Sequence, residues 1–410
     1  MLRSIKERRR LFLVFVSSLL LSMVCAAAPG DPDPSFGTGG VATESIGAEV
    51  TIYSVSIQPD GKIVVVGTRK LGDQPLSTPK ERLFIRRYMS NGLPDHVQSF
   101  PSLILGKGMT AAIQSDGKII VLGKAPNSFT TPQGTAVGDS PVVWRFNADG
   151  SLDTTLGVQG ARFINSVAAG DYHIDQFRGR IYIAYASRPA NLPGNPIPFP
   201  TTYKVARLSS TGSIDLTIEP SLVYGGPNDK KFSMKVDRGN GNVYVLGIKP
   251  TSLDVVVDGY TSNLSALTTF GQNGEASVAD CVQPEPDPKD LVIQPDGKLL
   301  VLRFTYGLNQ YVCTSRLLTT GITDPGFAGY FGYLPDQVGA KLNLQPDGKM
   351  FFYVGAFGRS DRFNSDGTFD RYLPGVNYDP STMQPDQKYV TARAVSPDYT
   401  SVRIERRLLD

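Results

Sequence analysis

A short hairpin phrase recurs along this chain and limits what it can fold into. "SIQPDGKIVVVG" (56–67), "AIQSDGKIIVLG" (112–123), "VIQPDGKLLVL" (292–302) and "NLQPDGKMFFYVG" (343–355) are near copies. Three weaker copies complete the series: "DQFRGRIYIAY" (175–185), "KVDRGNGNVYVLG" (235–247) and "MQPDQKYVTARAV" (383–395). The hairpin anchors are Gly61, Gly117, Gly179, Gly241, Gly297, Gly348 and, in the last copy, Gln387. Their spacings are 56, 62, 62, 56, 51 and 39 residues.

The turn chemistry is legible. Gln58-Pro59-Asp60-Gly61 suits a type I turn closed by a left-handed glycine, because proline presets φ and glycine tolerates a positive φ. Gln387 breaks this pattern, since a side chain held left-handed costs roughly 1–2 kcal/mol. That last hairpin should be strained or differently turned. The flanking runs "IVVVG", "IIVLG", "IYIAY", "VYVLG", "LLVL" and "FFYVG" are rich in β-branched and aromatic residues and lack polar alternation. Such runs are strands buried on both faces.

Each unit carries a second phrase: "RRYMSNGLPD" (86–95), "WRFNADGSLD" (144–153), "ARLSSTGSID" (206–215), "SRLLTTGITD" (315–324) and "DRFNSDGTFD" (361–370). It is weak at 259–271, and the chain ends in "RIERRLLD" (403–410). A Phe-Gly or related turn follows the phrase, as in "TTLGVQG" (154–160) and "TTFGQNG" (268–274). "DPDPSFGTGG" (31–40) near the start reads as the continuation of the chain's last residues. Four strands per unit are expected: A after the Phe-Gly turn, B before the Asp-Gly hairpin, C after it, and D in the arginine phrase. Seven such units make an all-β, seven-bladed β-propeller of four-stranded antiparallel blades, residues 29–410, with the two termini adjacent at the ring seam. A β-helix would favour shorter and more uniform coils.

The repeated "QPDGK(I/L)(V/L)V" and "RF(N)xDGxxD" phrases resemble the bacterial delta-60 repeat, a propeller-type unit of exported proteins. The resemblance spans residues 31–410 and is strongest in units one, two, five and six. It implies fold and export. It implies no agreed activity and carries no catalytic residue onto this chain.

Residues 1–28 read as a secretory signal. Arg3, Lys6, Arg8, Arg9 and Arg10 form a basic head, Leu11 to Val24 an apolar run, and Cys25-Ala26-Ala27-Ala28 a small-residue site. Cleavage after Ala27 is preferred, because Pro29 would follow Ala28. Val24 disfavours lipid attachment at Cys25. No later stretch supplies the roughly 20 apolar residues of a membrane span. The expected location is the periplasm or the extracellular space. The 41 basic and 38 acidic residues include five basic and one acidic in the leader, leaving 36 and 37. That balance offers no footprint for nucleic acid. Export permits a disulfide between Cys281 and Cys313.

Candidates for chemistry are few. Beyond the leader there are two histidines, His96 and His173. No Gly-x-Ser-x-Gly elbow accompanies them. His96 reads as a solvated loop histidine. Strand alternation would put Asp171, His173 and Asp175 on one face, a weak metal or general-acid arrangement. "NADG" (147–150) and "NSDG" (364–367) open like calcium loops but lack the further ligands, so they read as turns. No cofactor motif is evident. A calcium ion shared by several blades in the central channel is compatible with the sequence, which does not show what faces the axis. Arg87, Arg145, Arg207, Arg316, Arg362 and Arg403 recur on strand D, taken as outermost, where they should pair with turn acids such as Asp60 or Asp116. Trp144 should pack between blades.

One asymmetry remains. The C-to-D connections of units one to three, 68–81, 124–140 and 187–202, are long and mostly proline-containing. Clustered long loops on a rigid scaffold are where binding is commonly carried. Phe129, Phe199 and Tyr203 are the apolar residues of that rim. The chain therefore reads as a monomeric, exported binding module for a protein or glycan. The alternative is an enzyme on the same scaffold, a carbohydrate-active or ester or lactone hydrolase with a metal in the channel. Carboxylates or amides converging on the axis would mark the enzyme; an apolar or small-residue lining would mark the binder.

Overall fold

The computed structural model describes residues 28–409, apart from 72–80, 96–99, 101–103, 132–133, 189–201, 221, 223–231, 251, 253, 279–285, 306–310, 330, 334–340, 355–358, 377–379 and 396–397. The described residues form 27 strands in seven antiparallel sheets and no helix. The first strand, β1 (Val41–Ser45), belongs to the last blade. Blade 1 holds β2 (Val50–Ile57), β3 (Ile63–Lys70) and β4 (Glu81–Tyr88), with a single Arg82–Leu105 bridge at the fourth position. Blade 2 holds β5 (Lys107–Ile113), β6 (Ile119–Thr131), β7 (Gly134–Phe146) and β8 (Ala161–Phe163); blade 3 holds β9 (Val167–Phe177), β10 (Arg180–Arg188), β11 (Thr202–Leu208) and β12 (Ile214–Ile218). Blade 4 holds β13 (Ser233–Val236), β14 (Val243–Ile248), β15 (Val255–Tyr260) and β16 (Glu275–Ser277); blade 5 holds β17 (Pro286–Ile293), β18 (Leu299–Thr305), β19 (Tyr311–Leu317) and β20 (Phe331–Tyr333). Blade 6 holds β21 (Leu342–Leu344), β22 (Met350–Val354), β23 (Arg359–Phe363) and β24 (Phe369–Pro374). Blade 7 joins β25 (Ser381–Met383), β26 (Tyr389–Val395) and β27 (Ser401–Arg407) to β1.

The ring is closed as the sequence implied: β1 pairs with β27 from Val41–Glu405 to Ser45–Ser401. One expectation about strand order is corrected. Each sheet runs B, C, D, A from the axis outwards, so the arginine strand is third and the strand after the Phe-Gly turn is outermost. The strands before the Asp-Gly hairpins line the axis.

The core is divided among the seams. Seven apolar clusters lie one between each pair of neighbouring blades. Trp144 sits in the cluster between blades 1 and 2, with Val64, Val66, Leu83 and Ile85 opposite. No blade buries its own faces alone, which is why the strand runs are apolar on both sides.

The recurring arginines hold the seams at the hairpin end. Each binds an aspartate eight residues on in its own blade: Arg87–Asp95 at 2.9 Å, Arg145–Asp153 at 2.8 Å, Arg207–Asp215 at 2.9 Å, Arg316–Asp324 at 2.9 Å and Arg362–Asp370 at 2.6 Å. Across the ring seam the sixth pair is Arg406–Asp33 at 2.8 Å, so Arg406 and not Arg403 is the member of the series. The Nη1 of each arginine also donates to a main-chain carbonyl of the following blade: Ala148, Ser210 (2.6 Å), Ser262 (2.6 Å), Ser365, Leu409 and Ser90 (2.7 Å) in turn. Asp60 and Asp116 are not the partners; each instead accepts the backbone N–H of Lys62 or Lys118 within its own turn. The lysine of the hairpin phrase reaches the latch carboxylate as well, as in Lys118–Asp153 at 3.0 Å and Lys388–Asp33 at 3.2 Å.

Blade 4 departs from this scheme. Gly259 stands where the arginine would be and Leu267 where the aspartate would be. Phe270 fills the space: a Cβ on Gly259 would sit 2.9 Å from its ring, and Tyr244 meets it edge-on at 5.2 Å. An apolar contact thus replaces the ion pair, an exchange that buried salt bridges tolerate well.

The Asp-Gly turns are as expected, with the Gly61 N–H bonded to the Gln58 carbonyl at 2.9 Å and Gly61 at φ 82°. Gln387 keeps the same turn at φ 65°, so the last hairpin is strained and not differently turned; Arg178 in the third hairpin is also left-handed, at φ 48°. Its Oε1 accepts a 3.3 Å bond from Gln345 Nε2.

Three outcomes are expected. Arg145→Met should cost about 2–4 kcal/mol in denaturant unfolding, because buried Asp153 is left with Lys118 alone and the Ser210 carbonyl loses its donor. Burial opposes ionisation of Asp33, but hydrogen bonds from Ser35 and Lys388 and the charge of Arg406 outweigh it and bring the carboxyl down to about 2. Its folded-state value is depressed, so its contribution is complete above the unfolded carboxyl range near ~4 and is lost as pH falls towards about 2. A melting-temperature series over that window should show the loss, and Asp33→Asn should flatten it. Gln387→Gly should raise stability by up to ~1 kcal/mol by removing the left-handed side chain; a lower melting temperature would mean that the Gln345 contact outweighs the strain.

Candidate functional site in the axial channel

The innermost strands are tied to one another by polar side chains. Ser54 accepts the Ala111 N–H (3.2 Å) and Ser56 donates to the Ala111 carbonyl (3.3 Å), joining blades 1 and 2. Asp175 accepts the Val236 N–H at 3.1 Å between blades 3 and 4. Asp290 spans three blades: it accepts from Ser233 Oγ (3.2 Å), from the Leu291 N–H (2.9 Å) and from the Leu342 N–H (3.0 Å). Lys341 Nζ donates to the Ser381 carbonyl at 2.7 Å between blades 6 and 7.

These strands enclose a two-part channel. A cavity of about 920 Å³ opens at the hairpin end, past Pro59, Ser115, Arg178, Arg238 and Pro385. A second of about 670 Å³ opens at the other end, past Tyr53, Met109, Tyr172, Lys289, Lys341 and Pro380. The two share Ala111, Ile174, Lys235, Thr382 and Met383 and are therefore continuous. Strand C runs away from the hairpins, so the C-to-D connections lie on the face where the second chamber opens. In blade 2 that connection is not a loop: β6 and β7 continue as a paired ribbon to Thr131–Gly134.

Bulges shape the second mouth. Tyr53, Met109 and Lys289 are each the unpaired extra residue of their inner strand. All three line the chamber. A bulge breaks strand alternation and re-aims a side chain.

The chamber is cationic. Lys235, Lys289 and Lys341 come from three consecutive blades. Lys289 pairs with Asp287 and lies 5.1 Å from the Phe304 ring centroid. Lys235 and Lys341 have no carboxylate within ion-pair distance among the described residues. Enclosure by the ring and then the charge of Lys235 push the Lys341 amine down to about 8, although Asp290 pulls the other way. Lys341 still keeps more than a third of its surface open to the channel.

The residues singled out from sequence fare differently. The backbone of Asp171 has no pairing partner at a register shift in β9. His173 lines the chamber and meets Phe232 edge-on at 5.0 Å, and Asp175 is engaged with Val236. Among the described residues no group of three or more His, Cys, Asp or Glu side chains could hold a metal ion. Tyr203 is not a rim contact: it is buried between blades 3 and 4 with its ring 3.9 Å from that of Phe232. The backbone of Phe129 pairs with Ala136 in the blade 2 ribbon, and Phe199 and His96 lie outside the described residues. Cys313 is buried and disulfide-bonded, while Cys281 lies outside the described residues. Asp149 and Asp366 accept N–H bonds from Ser151 and Thr368 within their turns. No helix among the described residues is long and apolar enough to cross a membrane.

A family model described as "Domain of unknown function (DUF5122) beta-propeller" matches residues 58–96 and 114–156. Each stretch runs from the hairpin glutamine through the latch aspartate. No curated protein matches the chain. Among solved structures, hydrazine synthase from Kuenenia stuttgartiensis is similar at 10% identity and a TM-score of 0.51, over 90% of this chain and 97% of that one. A catalytically inactive virginiamycin B lyase from Staphylococcus aureus with quinupristin is similar at 12% identity and a TM-score of 0.48, over 90% and 99%. YCF48 from Cyanidioschyzon merolae is similar at 10% identity and a TM-score of 0.45, over 89% and 98%. At 10% identity the likeness to hydrazine synthase speaks to the fold alone.

The channel carboxylates are tied into the scaffold, which sets an expected outcome. Asp290→Ala should destabilise the protein by about 2–4 kcal/mol, because two backbone N–H groups and a hydroxyl lose their acceptor. Asp60→Ala, in an exposed turn, should change stability by no more than ~0.5 kcal/mol. Denaturant unfolding of the two variants checks the contrast.

Proposed function

We propose that this chain is an exported binding module that takes the end of a glycan into the axial channel from the face of the C-to-D connections. The observation that carries the reading is the paired use of the inner strands. Their carboxylates, Asp175 and Asp290, are committed to hydrogen bonds between blades. The bulged Tyr53, Met109 and Lys289 are turned into an open chamber. A hydrolase would need a carboxylate pair or a metal-activated water facing a substrate. A binder needs a preformed concavity with aromatic surface and a few polar groups, and Tyr53 and Tyr172 supply the rings. Export through residues 1–28, and pairing of Cys281 with Cys313, are part of the same proposal.

A glycan array probed with the protein tests it. The wild type should retain a defined set of glycans, Thr382→Trp should lose them by plugging the channel with little change in melting temperature, and deletion of 190–199 should reduce affinity without abolishing it. Retention of the same glycans by the plugged variant would overturn the channel as the site.

A further inference from the structure

We propose that Lys235, Lys289 and Lys341 form an oxyanion site, through which the chamber selects glycans that carry a carboxylate, sulfate or phosphate group. The inference rests on the channel being the ligand site and adds the chemical class of the ligand.

The repeat itself supplies the first argument. Lys235 pairs with Tyr244, the second residue of its neighbouring strand. The equivalent inner residues of the other blades are Ser56, Ala112, Asp175, Val292, Asn343 and Thr382. A side chain required by the scaffold would recur in this layer, as the latch arginines recur in theirs. The lysine does not recur.

Charge supplies the second. Lys235 and Lys341 belong to different blades, face the same chamber, and are close enough for one to disfavour protonation of the other. The groups around Lys341 are Lys235, Lys289, Asp290, His173, Tyr172 and Asn343. Asp290 is the carboxylate among them, and both its oxygens already accept hydrogen bonds. Lys341 itself donates to a neutral carbonyl. Like charges held in an enclosed space repel, and here Asp287 is taken by Lys289 and Asp290 by hydrogen bonds. An anion bound among them removes that repulsion, and the enclosing walls strengthen the attraction. Asn343 adds a neutral amide at the same wall.

The test is calorimetric titration of the full mature chain with galacturonate, glucose 6-sulfate, glucose 6-phosphate and, as the neutral control, glucose. At least one acidic sugar should bind at ~10 mM or below while glucose does not. Binding of galacturonate alone would assign a carboxylate ligand, and binding of the sulfate or phosphate ester alone a tetrahedral one. Lys235→Met and Lys341→Met should each weaken it about tenfold while the melting temperature stays close to that of the wild type. Wild-type affinity should fall as pH rises from about 7 to about 9.5, because Lys341 loses its proton over that range. Equal binding of acidic and neutral sugars, no binding of any acidic sugar, or full affinity in both lysine variants would overturn the oxyanion site. Array glycans that are lost in Thr382→Trp but kept by both lysine variants would overturn it while leaving the channel as the binding site.

Discussion

A buried arginine with two obligations organises this molecule. Its guanidinium binds a carboxylate eight residues away in the same blade and a main-chain carbonyl in the next. Lysine could not do both, since it lacks the rigid planar fork that lets one side chain serve two acceptors in fixed directions. The aspartate shapes its own turn at the same time: Asp153 accepts the N–H and the hydroxyl of Thr155 while it binds Arg145 and Lys118. Each latch therefore joins a strand, the turn that follows it and the neighbouring blade, and all but the blade 3 latch also take in a lysine of a hairpin. Buried ion pairs are weak contributors to net stability but costly to break. In a ring of similar units their value lies in register, since a blade that slipped would leave a charge buried and unpaired.

The ring seam obeys the same rule with the covalent order cut. Asp33, Ser35, Phe36 and Gly37 repeat the roles of Asp153, Thr155, Leu156 and Gly157, although Arg406 lies at the other end of the chain. The Gly37 N–H even reaches the Asn91 carbonyl as the Gly157 N–H reaches that of Thr211, both at 2.8 Å. Closure is thus a latch as well as a strand pairing. Blade 4 shows the one packed alternative, with Phe270 in place of the pair.

Because the seams carry the apolar cores and the arginine strand carries the latches, the innermost strand of each blade is left lightly constrained. It needs short residues or hydrogen bonds to its neighbours and little else. Blades 1, 2 and 7 place mainly hydroxyl, small and apolar side chains there. Blades 3 to 6 place His173, Asp175, Lys235, Lys289, Asp290 and Lys341 there. The channel is therefore chemically lopsided within a regular scaffold, and Lys289 and Lys341 lie at the mouth away from the hairpins. The proposed acidic ligand follows from that asymmetry.

The architecture was legible because its determinants are local and repeated. A proline, an aspartate and a glycine fix a turn over four residues, apolar runs fix buried strands, and seven copies with a split last unit imply a closed ring. The arginine phrase was visible too, but its partner was not. Asp95 and Asp153 lie in the phrase that was read, yet only strand pairing shows that an arginine in the third strand points back to them and not to Asp60 or Asp116. The ring seam moved the last member from Arg403 to Arg406 for the same reason. The site was the least legible part. Tyr203 looks like a loop aromatic because it follows a proline-rich stretch, but the register of β11 buries it against Phe232. Bulges at Tyr53, Met109 and Lys289 leave no mark in composition or alternation, and which lysines share one wall of the channel depends on how seven separate strands are placed around it. Sequence alone determined the unit, the number of units and the closure, all set by short-range turn and strand physics; only the tertiary structure decided what converges at the centre, because that depends on contacts between residues up to hundreds of positions apart.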